Sequence, residues 1–280
     1  MIQQAIKKII RTFGYEAHRS GYCTDPNNLR MGSGNIFPYI QLYKFDGYSF
    51  NFWVVNKDIL KEYNPEDCKK DAEITELINL VKPGDRVLEI GSHHGFYTML
   101  LSLLVGQKGL VVAVEPQPAN SLVLHSQVTL NNVENICKVK NLAMSDKSGT
   151  VRLTKTSSNA SVLEHDVKNT MSIKADKADN LLTEFGHFDV IKLDVEGYEA
   201  KVLSGCKKIL ESKPKLAIEL HVPFLKNYNT NTEEIFRLIG VQNYEGTMIF
   251  RKDKSKSYPF KVNSINNDVI NLFLQPKHHI

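Results

Sequence analysis

Residues 87–98 read Val87-Leu88-Glu89-Ile90-Gly91-Ser92-His93-His94-Gly95-Phe96-Tyr97-Thr98, and residues 111–116 read Val111-Val112-Ala113-Val114-Glu115-Pro116. An apolar run ends in an acid. A Gly-x-x-x-Gly turn follows, then a helix-like run, a second apolar run and a second acid. The layout predicts a strand, a tight loop, a helix and a strand ending in Glu115. A carboxylate there is placed to take both hydroxyls of a ribose. The glycines let the main chain approach a ligand where a side chain would block it. The expectation is a nucleoside-containing cofactor.

Two cofactors compete for that turn. A dinucleotide loop reads Gly-x-Gly-x-x-Gly, and its middle glycine makes room for a pyrophosphate. Here His93 takes that place and the spacing to Gly95 is one residue short. An adenosyl sulfonium carries no phosphate and needs less room. Glu89 beside the loop suits the ammonium of a methionine moiety and would repel a diphosphate. With Glu115 following, the pattern favours S-adenosylmethionine, and a nicotinamide dehydrogenase is the runner-up.

Working outward, the chain from Arg86 onward alternates strand and helix, the mark of a parallel sheet with crossover helices. Strands are predicted at 86–90, 110–114, 136–139, 188–193 and 215–220. Helices are predicted at 95–105, 118–131, 178–185, 198–211 and 231–239. Residues 148–175 break the alternation, with a short strand at Val151-Arg152-Leu153 and a polar loop at 156–161 that reads equally as a substrate lid or a surface meander. Upstream, Asp46-Gly47 between Tyr39–Phe45 and Tyr48–Val55 is a hairpin signal. Its aromatic residues could stack on sugar rings but read better as core or subunit contact. Residues 66–80 look helical. At the C-terminus, Met248-Ile249-Phe250 suggests an added edge strand. The expected organisation is an N-terminal extension over 1–70, a catalytic domain over 71–255 and a tail packed on it over 256–280.

The chain of 280 residues has a formal net charge of +4, too mild to require an anionic partner. The basic run Arg251–Lys256 reads as a solvated loop rather than a nucleic-acid patch. Cys23, Cys68, Cys137 and Cys206 lack metal-ligand spacing and read as free thiols of a reducing, cytoplasmic setting. No apolar run is long enough to span a bilayer. Ile2, Ile6, Ile9, Ile10 and Phe13 share one helical face, which reads first as packing on the body or on a second subunit of a homodimer, and second as peripheral membrane contact.

A second constellation is Ile191-Lys192-Leu193-Asp194-Val195-Glu196-Gly197-Tyr198-Glu199. Three carboxylates and a lysine this close are costly unless they bind something or pair. Glu199 can complement a helix dipole, but Asp194 belongs in the crevice at the strand end.

Residues 74–222 resemble the FkbM family of S-adenosylmethionine-dependent methyltransferases. The resemblance rests on Leu80-Val81-Lys82-Pro83-Gly84-Asp85, Glu89–Thr98, Val114-Glu115-Pro116, Asn141–Asp146, Ile191–Glu199, Val202-Leu203-Ser204-Gly205 and Glu219-Leu220-His221. It implies a Rossmann-like α/β fold with a seven-stranded sheet, mostly parallel with one antiparallel edge strand. The activity it implies is methyl transfer, usually to a hydroxyl oxygen. The chain departs from the family's usual loop at Glu89, Ser92 and His93. Glutamate for aspartate keeps the charge, while His93 is bulkier.

Gly91, Ser92, His93, Gly95, Phe96 and Tyr97 are therefore expected around the cofactor, with Glu89 at its methionine end. Glu115 and Pro116 are expected at the ribose, Asn141 and Ala143 at the adenine. Asp194 and Glu196 should lie near the methyl-transfer point. His221 is the expected general base, worth ~10²–10⁴-fold, or else a structural histidine paired with Glu219 or Glu196. Asp194 is the second base candidate or holds the cofactor's ammonium, and Lys192 pairs with Glu196 or orients the acceptor. No metal is expected, because displacement at a sulfonium needs none for its leaving group. The acceptor is expected to be a hydroxyl of a glycan or small molecule, with no nucleic acid. N-methylation of a small molecule or nucleic acid, or an inactive binding scaffold, are the alternatives.

Overall fold

The computed structural model describes residues 37–154, 162–163 and 170–277. The predicted amphipathic face at 2–13, the turn-rich stretch 15–35, Cys23 and the loop 156–161 lie outside them. Fourteen strands are present among the described residues. They are β1 (Tyr39–Phe45), β2 (Tyr48–Val54), β3 (Arg86–Ile90), β4 (Leu110–Val114), β5 (Cys137–Lys140), β6 (Ala143–Met144) and β7 (Gly149–Thr154). They continue with β8 (Val162–Leu163), β9 (Thr170–Asp176), β10 (Val190–Leu193), β11 (Lys215–His221), β12 (Tyr244–Phe250), β13 (Tyr258–Pro259) and β14 (Val269–Pro276).

The main sheet has eight strands in the order β13-β12-β14-β11-β10-β3-β4-β5. β5, β4, β3, β10 and β11 are mutually parallel. Chain order reverses between β3 and β10, so the strand ends there splay apart and leave a crevice. The fold is the expected Rossmann-like α/β class, with two differences. An eighth strand, β13, extends the edge. The antiparallel strand β14 is not at the edge: it is inserted between β11 and β12 and pairs antiparallel with both. Residues 256–280, expected as a tail, thus contribute a strand inside the sheet. The run Val269-Ile270-Asn271-Leu272-Phe273-Leu274 is buried throughout, as a strand covered on both faces must be.

The hairpin β1–β2 turns through Asp46 and Gly47, both at positive φ as a two-residue turn of this hand requires. The compact unit that carries the sheet begins at Phe37. Tyr43, Phe50 and Phe52 pack around Phe96, the first residue of the helix Phe96–Val105, with ring centroids 5.0, 5.4 and 5.5 Å away. Tyr63 stacks on Phe96 at 4.5 Å. Trp53 exchanges two main-chain hydrogen bonds with the Gln127 amide, and Asn51 does the same with Asn131. Tyr43, Phe50, Phe52 and Tyr63 are thus core, while Tyr39, Tyr48 and Trp53 are half-buried.

Pro118 opens its helix, Pro118–Leu130, where its missing N–H costs nothing. The predicted helix 198–211 divides at Gly205 into Glu199–Ser204 and Lys207–Glu211. A Cβ at Gly205 would lie 2.1 Å from the Ser145 carbonyl oxygen. The 148–175 region forms a second sheet, β6-β9-β7-β8. Cys68, Cys137 and Cys206 are free and buried; burial pushes the first two thiols up to about 12. Among the described residues no helix is long and apolar enough to cross a membrane.

Phe96 sits at the centre of the aromatic cluster, 1% exposed. Phe96→Ala should therefore cost about 3–5 kcal/mol of folding stability, read from urea unfolding. A loss under 1 kcal/mol would mean that the hairpin is not held by this ring.

Candidate active site

A crevice lies at the β3–β10 switch, walled by the loops that follow the strands. Gly91, Ser92, His93 and Tyr97 line it from the loop and helix after β3, and Glu115 and Pro116 from the end of β4. Asp194 and Glu196 line it from the end of β10, and Ala143 from β6. All nine are among the residues expected from the sequence.

The glycines act differently from the expectation. A Cβ on Gly91, at φ +88, would lie 1.7 Å from the Asp194 carbonyl oxygen. A Cβ on Gly95, at φ +87, would lie 2.5 Å from Leu124. Gly91 thus admits the loop after β10 against the loop after β3, and Gly95 admits the helix Pro118–Leu130.

Glu115 is clamped. One carboxylate oxygen accepts the His93 main-chain N–H at 2.8 Å, the other the Gln117 N–H at 2.9 Å. Burial pushes its carboxyl up to about 7 despite the Gln117 and His93 donors, the His93 charge and Asn120. Asn141 does not line the crevice; its amide donates to the Glu115 and Pro116 carbonyls and braces the strand end. His93 Nδ1 lies 3.1 Å from the Tyr63 hydroxyl and 3.3 Å from Glu62. His93 Nε2 is buried with no partner. His94 points away: burial, then the neighbouring His93, push its imidazole down to about 3. It is a neutral ring donating Nε2–H to Asn120.

Four further expected residues lie behind the wall. Glu89 is 1% exposed and accepts from the Thr98 hydroxyl rather than facing the crevice. Phe96 is core. Lys192 holds its Nζ 4.0 Å from Glu73 and 4.4 Å from the centre of the Tyr97 ring, so it is paired with neither Glu196 nor an open acceptor position.

His221, the fourth, is 1% exposed. Its Nδ1 lies 2.8 Å from Glu199 Oε1. Its Nε2 faces Glu196 at 3.4 Å and Asp194 and Glu219 at 4.0 Å each. Burial alone would lower this imidazole. The Glu199 hydrogen bond and the charges of Asp194, Glu199 and Glu219 outweigh it and push it up to about 9. Its two ring nitrogens are thus both directed at carboxylates, Nδ1 at Glu199 and Nε2 at Glu196.

The lining residues that sequence reasoning missed include Glu62, Tyr63, Val162 and Tyr198. Tyr63 was within reach as part of the aromatic-rich N-terminal region, but no local pattern brings 62–63 to the loop after β3. Val162 comes from β8, in the region that breaks the alternation.

Residues 89–245 match the family model described as the methyltransferase FkbM domain. The ribosomal RNA large subunit methyltransferase E of Acinetobacter baumannii is 35% identical over 68 residues, 24% of this chain and 32% of that protein. Its counterpart from Methanocaldococcus jannaschii is 28% identical over 92 residues, 31% and 37% of the two chains. The chain thus spans about a third of the length of these curated relatives. Among solved structures, the FkbM methyltransferase of Methylobacillus flagellatus is 15% identical, with a TM-score of 0.44 over 79% of this chain and 62% of that one. The O-methyltransferase of Bacillus cereus, solved with S-adenosylhomocysteine, is 13% identical, with a TM-score of 0.41 over 73% and 80%.

Gly91→Ala should lower stability by roughly 1–3 kcal/mol from its left-handed backbone alone, with a further loss from displacing Asp194. Urea titration checks it; wild-type stability would show that the two loops are not in contact.

Proposed function

This chain belongs to the FkbM family of methyltransferases; from that premise we propose that it uses S-adenosylmethionine to methylate a hydroxyl oxygen of a sugar, glycan or small natural product. The observation carrying this reading is the charge of the crevice. Its described lining holds Glu62, Glu115, Asp194 and Glu196 and no lysine or arginine. Such a wall suits a sulfonium and an ammonium and repels a diphosphate.

The residues fit the cofactor. Glu115 keeps lone pairs for the ribose hydroxyls after accepting its two main-chain hydrogens. His93 Nε2, buried and unpartnered, has a hydrogen bond to give at the same end. Leu142, Ala143, Met144 and Val162 offer an apolar slot for the adenine. When bound, the cofactor supplies a methyl group already activated on sulfur.

What remains for the chain is alignment and proton removal. The bound cofactor would supply its methyl to the acceptor oxygen and keep the carbon–sulfur electron pair, and the hydroxyl proton would pass to a carboxylate of this chain. Glu196 is the proposed base. Burial raises its carboxyl above the usual range, with His221 pulling it back and Asp194 adding to the rise, which brings it closer to the proton it must hold. Asp194 is the second candidate. His221 and Glu199 position Glu196 from behind, and Lys192 balances the buried acids.

A nucleic-acid acceptor is the second reading, favoured by the two ribosomal RNA methyltransferases, against the expectation of none. The four lining carboxylates oppose a phosphate backbone. Methyl-tritiated cofactor offered to cell extract decides between the acceptors: label should enter a glycan or small-molecule fraction. Label confined to RNA would overturn the hydroxyl reading in favour of the second.

Glu115→Ala should weaken S-adenosylhomocysteine binding at least about tenfold, through loss of a charged bidentate contact; unchanged affinity by calorimetry would remove this pose. Affinity should also depend on pH. The ribose hydroxyls prefer the ionised carboxylate, and burial has raised the Glu115 carboxyl to about 7. Affinity therefore rises as pH increases through about 7, and Glu115→Gln should flatten that rise. A rise of the same size in the variant would assign it to another group.

A further inference from the structure

We propose that Asp194, Glu219 and His221 form a divalent-cation site at the acceptor end of the crevice. The donor atoms of these three residues all lie within 4.8 Å of one another. His221 Nε2 stands 4.0 Å from Asp194 Oδ1 and 4.0 Å from Glu219 Oε1. Two ligands of one ion at about 2.0–2.2 Å each can stand up to about 4.4 Å apart, so small side-chain rotations bring all three onto one centre.

Two independent features point to an ion there. The first is the orientation of the imidazole. Nδ1 is engaged by Glu199, which is fully buried and receives a second hydrogen bond from the Gly197 N–H. A carboxylate fixing the far nitrogen of a histidine is the usual support of a metal ligand. It leaves Nε2 aimed at the acids, where a bound dication would take the place of the Nε2 proton. The second is Asn271. It stands directly opposite Glu219 on β14, so the two side chains leave the same face of the sheet. It is 7% exposed, its amide N–H is given to Glu73, and its Oδ1 has no partner. That buried, unpartnered oxygen lies on the face of the sheet that carries Glu219.

Charge argues the same way. Asp194, Glu196 and Glu219 crowd one imidazole, with Glu73 and Glu199 behind them. The fixed cations among the described residues near these acids are Lys192, turned toward Glu73 and Tyr97, and Arg251, whose exposed guanidinium lies 3.6 Å from Glu219. A dication between Asp194, Glu219 and His221 offsets this excess. One imidazole with two carboxylates suits manganese or zinc better than a soft-metal site.

The cation's role rests on the methyl-transfer reading. Bound to the acceptor hydroxyl, it would favour the oxyanion beside Asp194 and Glu196, which line the crevice. The leaving sulfur still needs no metal. The site itself stands without that reading.

The test uses the full chain, stripped with chelator and titrated with Mn²⁺ under electron paramagnetic resonance. One Mn²⁺ per chain should bind, with nitrogen modulation from an imidazole. His221→Gln should abolish the nitrogen modulation, and Glu219→Gln and Asp194→Asn should each weaken binding at least tenfold. Should His221→Gln fail to fold, the isosteric Glu219→Gln carries the test, with its fold checked by circular dichroism. No Mn²⁺ or Zn²⁺ bound at millimolar concentration, or Mn²⁺ bound without nitrogen coupling and unaffected by Glu219→Gln, would overturn the proposal. Calorimetry with S-adenosylhomocysteine on the same wild-type sample separates the two ideas. Cofactor product bound without a cation sinks the site alone; a cation bound without cofactor product sinks the methyl-transfer reading and leaves the site.

Discussion

The main-chain N–H groups of His93 and Gln117 converge on the two oxygens of Glu115. This clamp ties the end of β4 to the loop after β3, and the crevice depends on it. The loop could not otherwise hold His93 at φ 50, a conformation that costs a non-glycine residue strain. Gly91 completes the joint from the other side by letting the loop touch the Asp194 carbonyl. Three strand ends are thereby fixed around one opening, and each delivers a carboxylate or a backbone turn to it.

Behind the opening, charge is arranged in layers. The lining acids Asp194 and Glu196 meet solvent. His221 lies beneath them, held by buried Glu199. Lys192, Glu73, Tyr97 and Asn271 form an adjoining network on the same side of the sheet, in which Glu73 accepts from both Tyr97 and Asn271. Burying this many ionisable groups is unfavourable unless they pair or bind. Pairing satisfies Glu73 and Lys192. It leaves the acids around His221 in excess, which is why that end of the crevice is the place to look for a positively charged ligand.

Much of this was legible in the sequence, because local patterns encode it. Asp46-Gly47 fixed the hairpin register, and two apolar runs ending in Glu89 and Glu115 marked β3 and β4. Glu115, His93, Asp194 and Glu196 follow from those strand ends. What escaped was set by long-range pairing. Nothing near Val269 says that its strand enters between β11 and β12. Nothing near Phe96 says that a hairpin fifty residues upstream covers its ring and takes it out of the crevice. Glu199 looked like a helix-dipole residue, and its role as the partner of His221 appears only when β11 is placed beside β10. Glu62 and Tyr63 reach His93 for the same reason.

The central claim is that this acidic crevice binds an adenosyl sulfonium by its ribose and excludes a dinucleotide. A crystal structure of the protein soaked with equal concentrations of S-adenosylhomocysteine and NAD tests it most directly. The account predicts S-adenosylhomocysteine in the crevice, both ribose hydroxyls on Glu115 and its adenine beside Ala143. NAD in that crevice, or S-adenosylhomocysteine bound away from Glu115, would contradict it.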